Sequence, residues 1–298
     1  MSRTFDRKPD IYTRITAQII ALLEAGTRPW IQPWQSAHAA GPVSRPLRFN
    51  LEPYSGINIL TLWGSAMSQG FAAPVWMTFR QALELGGHVR KGESGSPVVY
   101  ANSCKRTDTD PETGEPDEHS IPFLKAYTVF NVEQIEGLPA QFLAPVRPAA
   151  NPDTRIGTAD AFFAATGADI RHVGSSACYI PALDRIHMPQ FTDFRDAEGY
   201  YATLAHEMTH WTGHSARLKR SFGRQRFGDA GYAMEELVAE LGAAFLCADL
   251  KLTLTVRDDH ASYIASWLKV LKGDTKAVFT AAAHAQRAAD WLHRLQPG

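Results

Sequence analysis

The chain contains 298 residues, which is enough for two domains with substantial cores. Hydrophobic residues make up 45% and charged residues 20% of the sequence, as in ordinary soluble globular proteins. The formal net charge of −1 gives no general sign of a nucleic-acid partner. The sequence has no apolar run as long as a membrane span, and no apolar core follows the basic N-terminus. We therefore expect a cytoplasmic protein without a membrane partner.

Cysteine usage agrees with that location. Cys104, Cys178 and Cys247 are widely spaced, odd in number and form no Cys-x-x-Cys pair. This pattern favours a reducing compartment over a disulfide framework.

The N-terminal half mixes helical and strand patterns. Apolar periodicity and capping residues predict helices over residues 11–25, 56–67 and 79–85. β-branched and aromatic residues predict strands over 98–100 and 123–132. Between these strands, residues 107–120 contain six acids and two prolines, which predicts a polar loop or a disordered tip.

A segment with four prolines, residues 138–153, predicts the domain linker. The domains would be residues 1–140 and 154–298. In the second domain we expect helices over 158–166, 260–271 and 275–295, and two strands over 178–181 and 185–189. The prediction is an α+β fold in two domains.

The chemically most informative segment is the H-E-x-x-H pentapeptide that begins at His206. Residues four apart share one helix face, so His206 and His210 can bind one cation. Glu207 can reach a water on that cation and act as general base. The helix is expected to end at Gly213. Zinc suits these ligands, although manganese or cobalt could occupy them.

A catalytic zinc usually takes a third protein ligand. The metzincin spacing places that ligand at Ala216, which excludes this class. Glu236 lies on a second, mostly apolar helix, and we predict it as the third ligand, with Glu240 holding the far nitrogen of a ligand histidine. Glu235 would then point elsewhere. Two alternatives remain: Glu235 in place of Glu236, or Asp229 from the preceding loop.

Charge is unevenly distributed along the chain. Residues 1–106 contain 12 Lys and Arg but 6 Asp and Glu. Basic groups bind phosphates and aromatic rings stack on unpaired bases, which is how single strands are bound without sequence reading. Tryptophans beside basic residues are also common in ordinary cores. The candidate DNA-binding residues are Arg45, Tyr54, Asn58, Trp76, Arg80, Arg90 and Lys91.

A second basic run follows the metal motif and contains Arg217, Lys219, Arg220, Arg224 and Arg226. It could carry nucleic acid past the metal or hold an acidic protein, and a solvated loop is the simpler interpretation. His260 and Tyr263 could donate a hydrogen bond to a developing oxyanion, although a surface histidine and a core tyrosine would have the same pattern.

Longer blocks of sequence carry a family resemblance. They are residues 23–30, 54–58, 76–82, 86–93 and 129–132 in the N-terminal half and 206–214 and 226–245 in the C-terminal half. Together they resemble the ArdC-type antirestriction proteins of conjugative plasmids. The resemblance implies an N-terminal domain that binds single-stranded DNA and a C-terminal zincin-like metallopeptidase domain, which shield incoming plasmid DNA from host restriction.

The site would then be gluzincin-like, with zinc on His206, His210 and Glu236. A protein substrate, such as a host restriction component, is one possible partner. The alternative is a DNA-binding protein whose metal site is structural or vestigial, and which protects DNA by covering it without proteolysis.

Overall fold

The computed structural model describes residues 10–31, 44–109, 116–142, 152–223, 229–252 and 261–297. These residues form eight α-helices and nine β-strands, which confirms the α+β class. The helices are α1 Ile11–Glu24, α2 Ile57–Gln69, α3 Phe79–Glu84, α4 Pro152–Ala164, α5 Ala197–Thr212, α6 Ala230–Leu250, α7 Ala261–Gly273 and α8 Ala277–Arg294. The strands are β1 Leu47–Arg48, β2 Val75–Thr78, β3 His88–Val89, β4 Ser96–Thr109, β5 Pro116–Asn131, β6 Ile135–Glu136, β7 Asp169–His172, β8 Cys178–Ile180 and β9 Arg185–Met188.

Local signals place the N-terminal helices where the sequence predicts them. The carboxylate of Asp10 accepts a hydrogen bond from the backbone of Thr13, 2.8 Å away, and so caps α1. Gly26 follows this helix at a φ of +75°, a conformation that side chains disfavour. At α3, Thr78 and Gln81 exchange hydrogen bonds as a capping box.

The first domain contains a four-stranded sheet in the order β1-β2-β5-β4. Strand β1 runs parallel to β2, and the other two pairings are antiparallel. Helix α2 lies against the outer edge of β4. There the side chain of Asn58 donates to the carbonyl of Val99 and accepts from its N–H, at 2.8 and 2.7 Å. Asn58 therefore replaces the neighbouring strand that this edge lacks.

The predicted polar loop is wrong for residues 107–109 and 116–120, which lie in strands. Strand β4 continues to Thr109 and β5 begins at Pro116, with Asp108 opposite Asp117 in the antiparallel register. A strand pair is joined by backbone hydrogen bonds, which do not depend on apolar side chains. Apolar alternation therefore did not reveal the extension. Residues 110–115, within the same predicted loop, lie outside the described residues.

The second domain places three strands beside a helical layer. The strand order is β7-β9-β8, with β7 parallel and β8 antiparallel to β9. The two predicted strands are β8 and β9, and the chain turns between them at Asp184, whose φ is +47°. Helix α5 packs against both strands and against α6, which in turn packs against α8. Strand β7 was not predicted.

The largest buried cluster joins residues from both halves of the chain. Helix α1 packs against α7, and the ring of Trp30 meets that of Trp267 edge-on at 5.8 Å. A smaller cluster contains Leu138 and Phe142. The first residues of the predicted 138–153 linker therefore pack on the N-terminal half, whereas residues 143–151 lie outside the described part of the chain.

Helices α5 and α6 approach closely because Gly242 faces Thr209. A Cβ atom at position 242 would lie 2.5 Å from the Thr209 side chain. We expect Gly242→Ala to lower the free energy of unfolding by about 1–3 kcal/mol, the usual cost of overpacking. Gly157→Ala, at an exposed position of α4 with nothing within 4 Å, should instead be neutral or stabilise by up to about 1 kcal/mol. Urea unfolding of both variants tests this, and equal losses would contradict it.

Candidate metal centre

Helix α5 carries the H-E-x-x-H motif, as predicted. Asp196 caps its N-terminus by accepting from the backbone of Gly199 at 2.7 Å. The helix is buried along most of its length, and both His206 and Glu207 are buried within it. Gly213 is the C-terminal cap residue.

Three potential ligand atoms converge between α5 and α6. The Nε2 atoms of His206 and His210 lie 3.2 Å apart. The carboxylate of Glu236 lies 3.6 Å from the first of these nitrogens and 3.5 Å from the second. Among the described residues, these three side chains form the group whose donor atoms all lie within 4.8 Å of one another.

These spacings fit one small divalent cation. Ligand atoms at the usual bond lengths around a tetrahedral zinc ion stand about 3.3–3.4 Å apart. Two imidazoles and one carboxylate are also a donor set used by catalytic zinc, with a fourth position left for water or substrate. The residues present therefore suit the metal that the sequence predicts.

Glu235 departs from its predicted position. It was expected to point elsewhere, but its Oε1 atom lies 3.0 Å from the Nδ1 of His210. Glu235 and Glu236 thus flank the same imidazole, one at each ring nitrogen. Such a hydrogen bond fixes the tautomer and ring orientation of a ligand histidine.

Arg220 holds Glu235 in place. Its guanidinium donates to both carboxylate oxygens, from Nη2 at 2.6 Å and from Nε at 2.8 Å. It also donates to the Thr209 carbonyl at 2.7 Å and to the Thr212 hydroxyl at 3.1 Å. The side chain of Arg220 is fully buried, so this network belongs to the interior of the domain.

The close approach of Arg220 explains why residue 213 is a glycine. Its φ of −72° is right-handed, so the backbone conformation does not require glycine. A Cβ atom there would lie 2.9 Å from Nη2 of Arg220. The predicted helix end is confirmed, and the room for the guanidinium explains the residue type.

Burial and neighbouring charges act in opposite directions on the pKa values of His210 and Glu235. Burial alone lowers the pKa of His210, but the hydrogen bond and charge of Glu235, with the charges of Glu236 and Glu207, raise that pKa to about 9. Burial alone raises the pKa of Glu235, but Arg220 and His210 lower it to about 2. Glu235 therefore remains ionised at neutral pH.

Glu236 has a second partner on its own helix. Burial raises its pKa, but hydrogen bonding and charge from His206 and His210, with a hydrogen bond from Tyr232, lower it overall. The hydroxyl of Tyr232 lies 3.1 Å from that of Tyr263. Sequence reasoning missed Tyr232, although its place four residues before Glu236 puts both on one helix face.

The predicted general base lies beside the strand that borders the site. Oε2 of Glu207 accepts a hydrogen bond from the backbone N–H of Tyr179 in β8, at 2.8 Å. Burial raises the pKa of the neighbouring Cys178 thiol, and the charge of Glu207 adds to that effect.

Three further predictions have different outcomes. The far nitrogen of His210 is held by Glu235, not by Glu240. Nδ1 of His206 is buried and makes no hydrogen bond among the described residues, so the orientation of a ligand histidine by Glu240 stays a prediction. Asp229 is the residue before the first turn of α6, makes no capping hydrogen bond with its side chain and is not part of the ligand cluster. His260 lies outside the described residues.

The ligand cluster lines a cleft of about 770 Å³. Its lining comes from β8 with the turn after it and from α5, α6 and α7. Lining residues include Ala177, Cys178, Tyr179, Pro181, His206, Glu207, His210, Arg220, Tyr232, Glu236, Glu240 and Tyr263. The cleft is therefore large enough for several residues of an extended peptide.

The structure corrects four of the seven predicted DNA contacts. Trp76 is 1% exposed and Tyr54 is buried in the same core cluster. Asn58 is occupied by the edge of β4. Arg45 is buried, with both carboxylate oxygens of Asp249 2.8 Å from its guanidinium. These side chains stabilise the fold and are not available to stack on bases or bind phosphates.

The other three predicted contacts lie on the surface. Arg80 and Arg90 are paired with Glu84 and Glu93, and Lys91 is exposed. They stay predictions.

The basic run after α5 is also partly structural. Arg217 pairs with Asp184, and its guanidinium lies 3.8 Å from the centre of the Trp211 ring. Arg220 belongs to the network around Glu235, and Lys219 is exposed. Arg224 and Arg226 lie outside the described residues. Neither a solvated loop nor a nucleic-acid contact describes Arg217 and Arg220.

Two family models match the chain, one in each half. Residues 157–284 match the zincin-like metallopeptidase family, and residues 9–130 match the N-terminal domain of the anti-restriction factor ArdC. The chain is therefore a two-domain protein with a zincin-like C-terminal domain. The predicted boundary residues stay a prediction.

Solved structures of an antirestriction protein match nearly the whole chain. The metal-free crystal structure of the antirestriction protein ArdC from plasmid R388 has a TM-score of 0.80 and 49% identity, covering 96% of this chain and 98% of that one. Its Mn(II)-bound structure has a TM-score of 0.78 and 47% identity over the same shares.

Curated relatives include protein y4eC of Sinorhizobium fredii, 44% identical over 98% of this chain and 96% of y4eC. DNA primase TraC of Escherichia coli is 37% identical over 96% of this chain, which spans 27% of TraC. The chain belongs to the ArdC family of antirestriction proteins. Among the described residues, no helix combines the length and apolar character needed to cross a membrane.

Proposed function

We propose that this antirestriction protein hydrolyses peptide bonds at a metal ion held by His206, His210 and Glu236. The observation that supports it most directly is the convergence of three ligand side chains, whose nitrogen and oxygen atoms lie 3.2–3.6 Å apart, beside Glu207. A divalent metal agrees with the Mn(II)-bound relative, and imidazole and carboxylate donors suit zinc, with manganese or cobalt as alternatives.

Each protein group has a distinct role in this proposal. A bound zinc ion would polarise a substrate carbonyl and make a water molecule more acidic. Glu207 takes a proton from the attacking water and delivers it to the leaving amine. Glu235, fixed by Arg220, keeps the His210 ring oriented, and Tyr232 restrains the Glu236 carboxylate. Glu240 is proposed to do the same for His206 through Nδ1.

Zinc affinity tests the ligand set. Calorimetric titration should show the largest loss for Glu236→Ala, a ligand, and a loss of about 10–100-fold for Glu235→Ala, which orients a ligand. Glu198→Ala, on α5 but near its N-terminus, should bind like wild type. A larger loss for Glu235→Ala than for Glu236→Ala would make Glu235 the ligand. Equal binding by all variants would remove the proposed site.

The N-terminal domain is proposed to bind single-stranded DNA. Its support is the match to the ArdC N-terminal domain and the excess of basic residues in positions 1–106. Contacts with phosphates release counterions, so binding to an oligo(dT) strand should weaken as salt rises. A wild-type protein without such binding would contradict this half of the proposal and leave the metal centre untouched.

A second candidate function is protection of DNA by covering it, with a metal site that has no hydrolytic role. The hydrogen bond from the backbone N–H of Tyr179 to Glu207 supports this second function, because the bond occupies one oxygen of the carboxylate that would receive the proton. A protein substrate, including a host restriction component, would be needed under the first proposal and not under the second.

A further inference from the structure

The hairpin of β4 and β5 carries exposed aromatic side chains on one face. Residues opposite each other in an antiparallel pair share a face, and alternate residues of each strand do so as well. In the observed register Val98 faces Tyr127, Tyr100 faces Lys125, and Asn102 faces Phe123. We call the side chains of Tyr100, Asn102, Phe123, Lys125 and Tyr127 the aromatic face.

These side chains are held in place and remain accessible. Tyr100 is 49% and Tyr127 is 46% exposed. The rings of Tyr100 and Phe123 lie 6.3 Å apart, and Nζ of Lys125 lies 5.3 Å from the centre of the Phe123 ring. The amide of Asn102 donates to the hydroxyl of Tyr100. Contacts within the face thus restrict the rings without covering them.

The other face of the same strands differs in composition. There Ala101 lies opposite Leu124, and Val99 lies opposite Ala126. Val99 is buried and Leu124 packs against the main core, so that face serves the fold. Val98, on the side of the aromatic face, is also buried in this core, so the exposed part of that side begins beyond it. Folding does not account for two half-exposed tyrosines beside a lysine, because exposing large rings forgoes the gain from burying them.

We propose that the aromatic face binds single-stranded DNA by stacking unpaired bases on Tyr100, Phe123 and Tyr127, with Lys125 beside a phosphate. This deepens the proposed DNA-binding function and rests on it. Aromatic rings with an interleaved cation form the usual platform for unpaired bases, since every base has a π-face. It also replaces the contacts that burial denies to Tyr54 and Trp76.

Paired substitutions separate the ring from the rest of the side chain. We expect Tyr100→Leu and Tyr127→Leu each to weaken binding of an oligo(dT) strand at least about fivefold, the lower end of measured stacking contributions. Tyr100→Phe and Tyr127→Phe keep the ring and should bind within about twofold of wild type on the same grounds. Phe49→Leu, an exposed aromatic outside the face, is the matched control and should leave binding unchanged.

A second measurement uses the wild-type protein alone. An oligonucleotide with 5-iodouracil in place of thymine should photo-crosslink to Tyr100 or Tyr127, as identified by mass spectrometry of the peptides. A strand of abasic sugars of the same length should bind more weakly than oligo(dT), because it offers phosphates but no bases.

The outcomes distinguish the two claims. Wild-type binding with unaffected leucine variants and crosslinks elsewhere would overturn the aromatic face and retain the DNA-binding function. Equal affinity for oligo(dT) and the abasic strand would overturn base stacking. No binding of wild type to either strand would overturn the DNA-binding function itself. Loss of binding by the leucine variants, together with crosslinks at the face, would support it.

Discussion

Replacing Glu207 by glutamine is expected to abolish peptide hydrolysis and to leave metal binding nearly unchanged. Glutamine has the size of glutamate but cannot accept the proton of an attacking water. General-base catalysis contributes about 100- to 10,000-fold, so we expect a loss of at least about 100-fold. Glutamine can still accept the hydrogen bond from the N–H of Tyr179, so the local structure should persist.

The measurement is release of fragments from a fluorescently labelled protein by zinc-loaded enzyme, with zinc affinity measured in parallel. Glu198→Gln, on the same helix, is the matched control and should retain activity. Full activity in Glu207→Gln would contradict the assignment of the base. Lost zinc binding would instead give Glu207 a structural role at the ion.

The same variant separates hydrolysis from occlusion. Transfer of plasmid DNA into a restricting host can be compared for wild type, Glu207→Gln and a strain without the protein. If proteolysis protects the DNA, the variant should behave like the strain that lacks the protein. If covering the strand protects it, the variant should protect like wild type, and substitutions on the aromatic face should fail.

The helices and the metal motif could be predicted because their signals are local. Capping at Asp10 and Thr78 involves residues at most three positions away, and His206 and His210 are related by helix geometry alone. Glu236 was predictable for a similar reason, since a carboxylate in an apolar helix needs a partner.

Glu235 shows where local reasoning ends. Its neighbours in the sequence do not reveal that the guanidinium of Arg220, 15 positions earlier, donates hydrogen bonds to its carboxylate. Adjacent residues such as Glu235 and Glu236 point in different directions from a helix, yet each contacts one ring nitrogen of His210. Predicting both contacts therefore requires knowing how α5 and α6 are placed relative to each other.

Four of the predicted DNA contacts were wrong because the fold buries or occupies their side chains, and burial depends on the whole fold. Trp76 and Tyr54 have the composition of a stacking surface, yet both contribute to the core. The exposed rings lie instead in a hairpin whose far part resembled a loop. The register that puts these rings on one face belongs to the pairing of β4 with β5, which extends beyond the predicted strands.

Arg45→Met is expected to lower the free energy of unfolding by about 3 kcal/mol, the lower end for breaking a buried ion pair by removing one partner. Arg45 links the two halves of the chain. Its guanidinium contacts Asp249 of α6 and Gln286 of α8, and it lies 4.7 Å from the centre of the Phe245 ring. Among the described residues, its loss leaves the Asp249 carboxylate paired with His293.

Urea unfolding measures this loss, and Arg48→Met is the matched control. Arg48 is exposed and pairs with Glu52 on the surface, so its removal should cost less than about 1 kcal/mol. Exchanging both Arg45 and Asp249 for apolar residues should cost less than Arg45→Met alone, because no buried carboxylate is left without its guanidinium partner. Equal losses for Arg45→Met and Arg48→Met would contradict a buried link.

The pH dependence of the same difference provides an independent check. Burial raises the pKa of Asp249, but hydrogen bonds and charge from His293 and Arg45 lower it below its ordinary value. A carboxylate with a lowered folded-state pKa stabilises the protein above its unfolded pKa, near 3.8, and this contribution is lost as pH falls through the folded value. The difference between wild type and Arg45→Met should therefore be full at neutral pH and shrink below about pH 4. A difference that stayed constant down to strongly acid pH would show that Arg45 acts through packing on Phe245 and not through its charge.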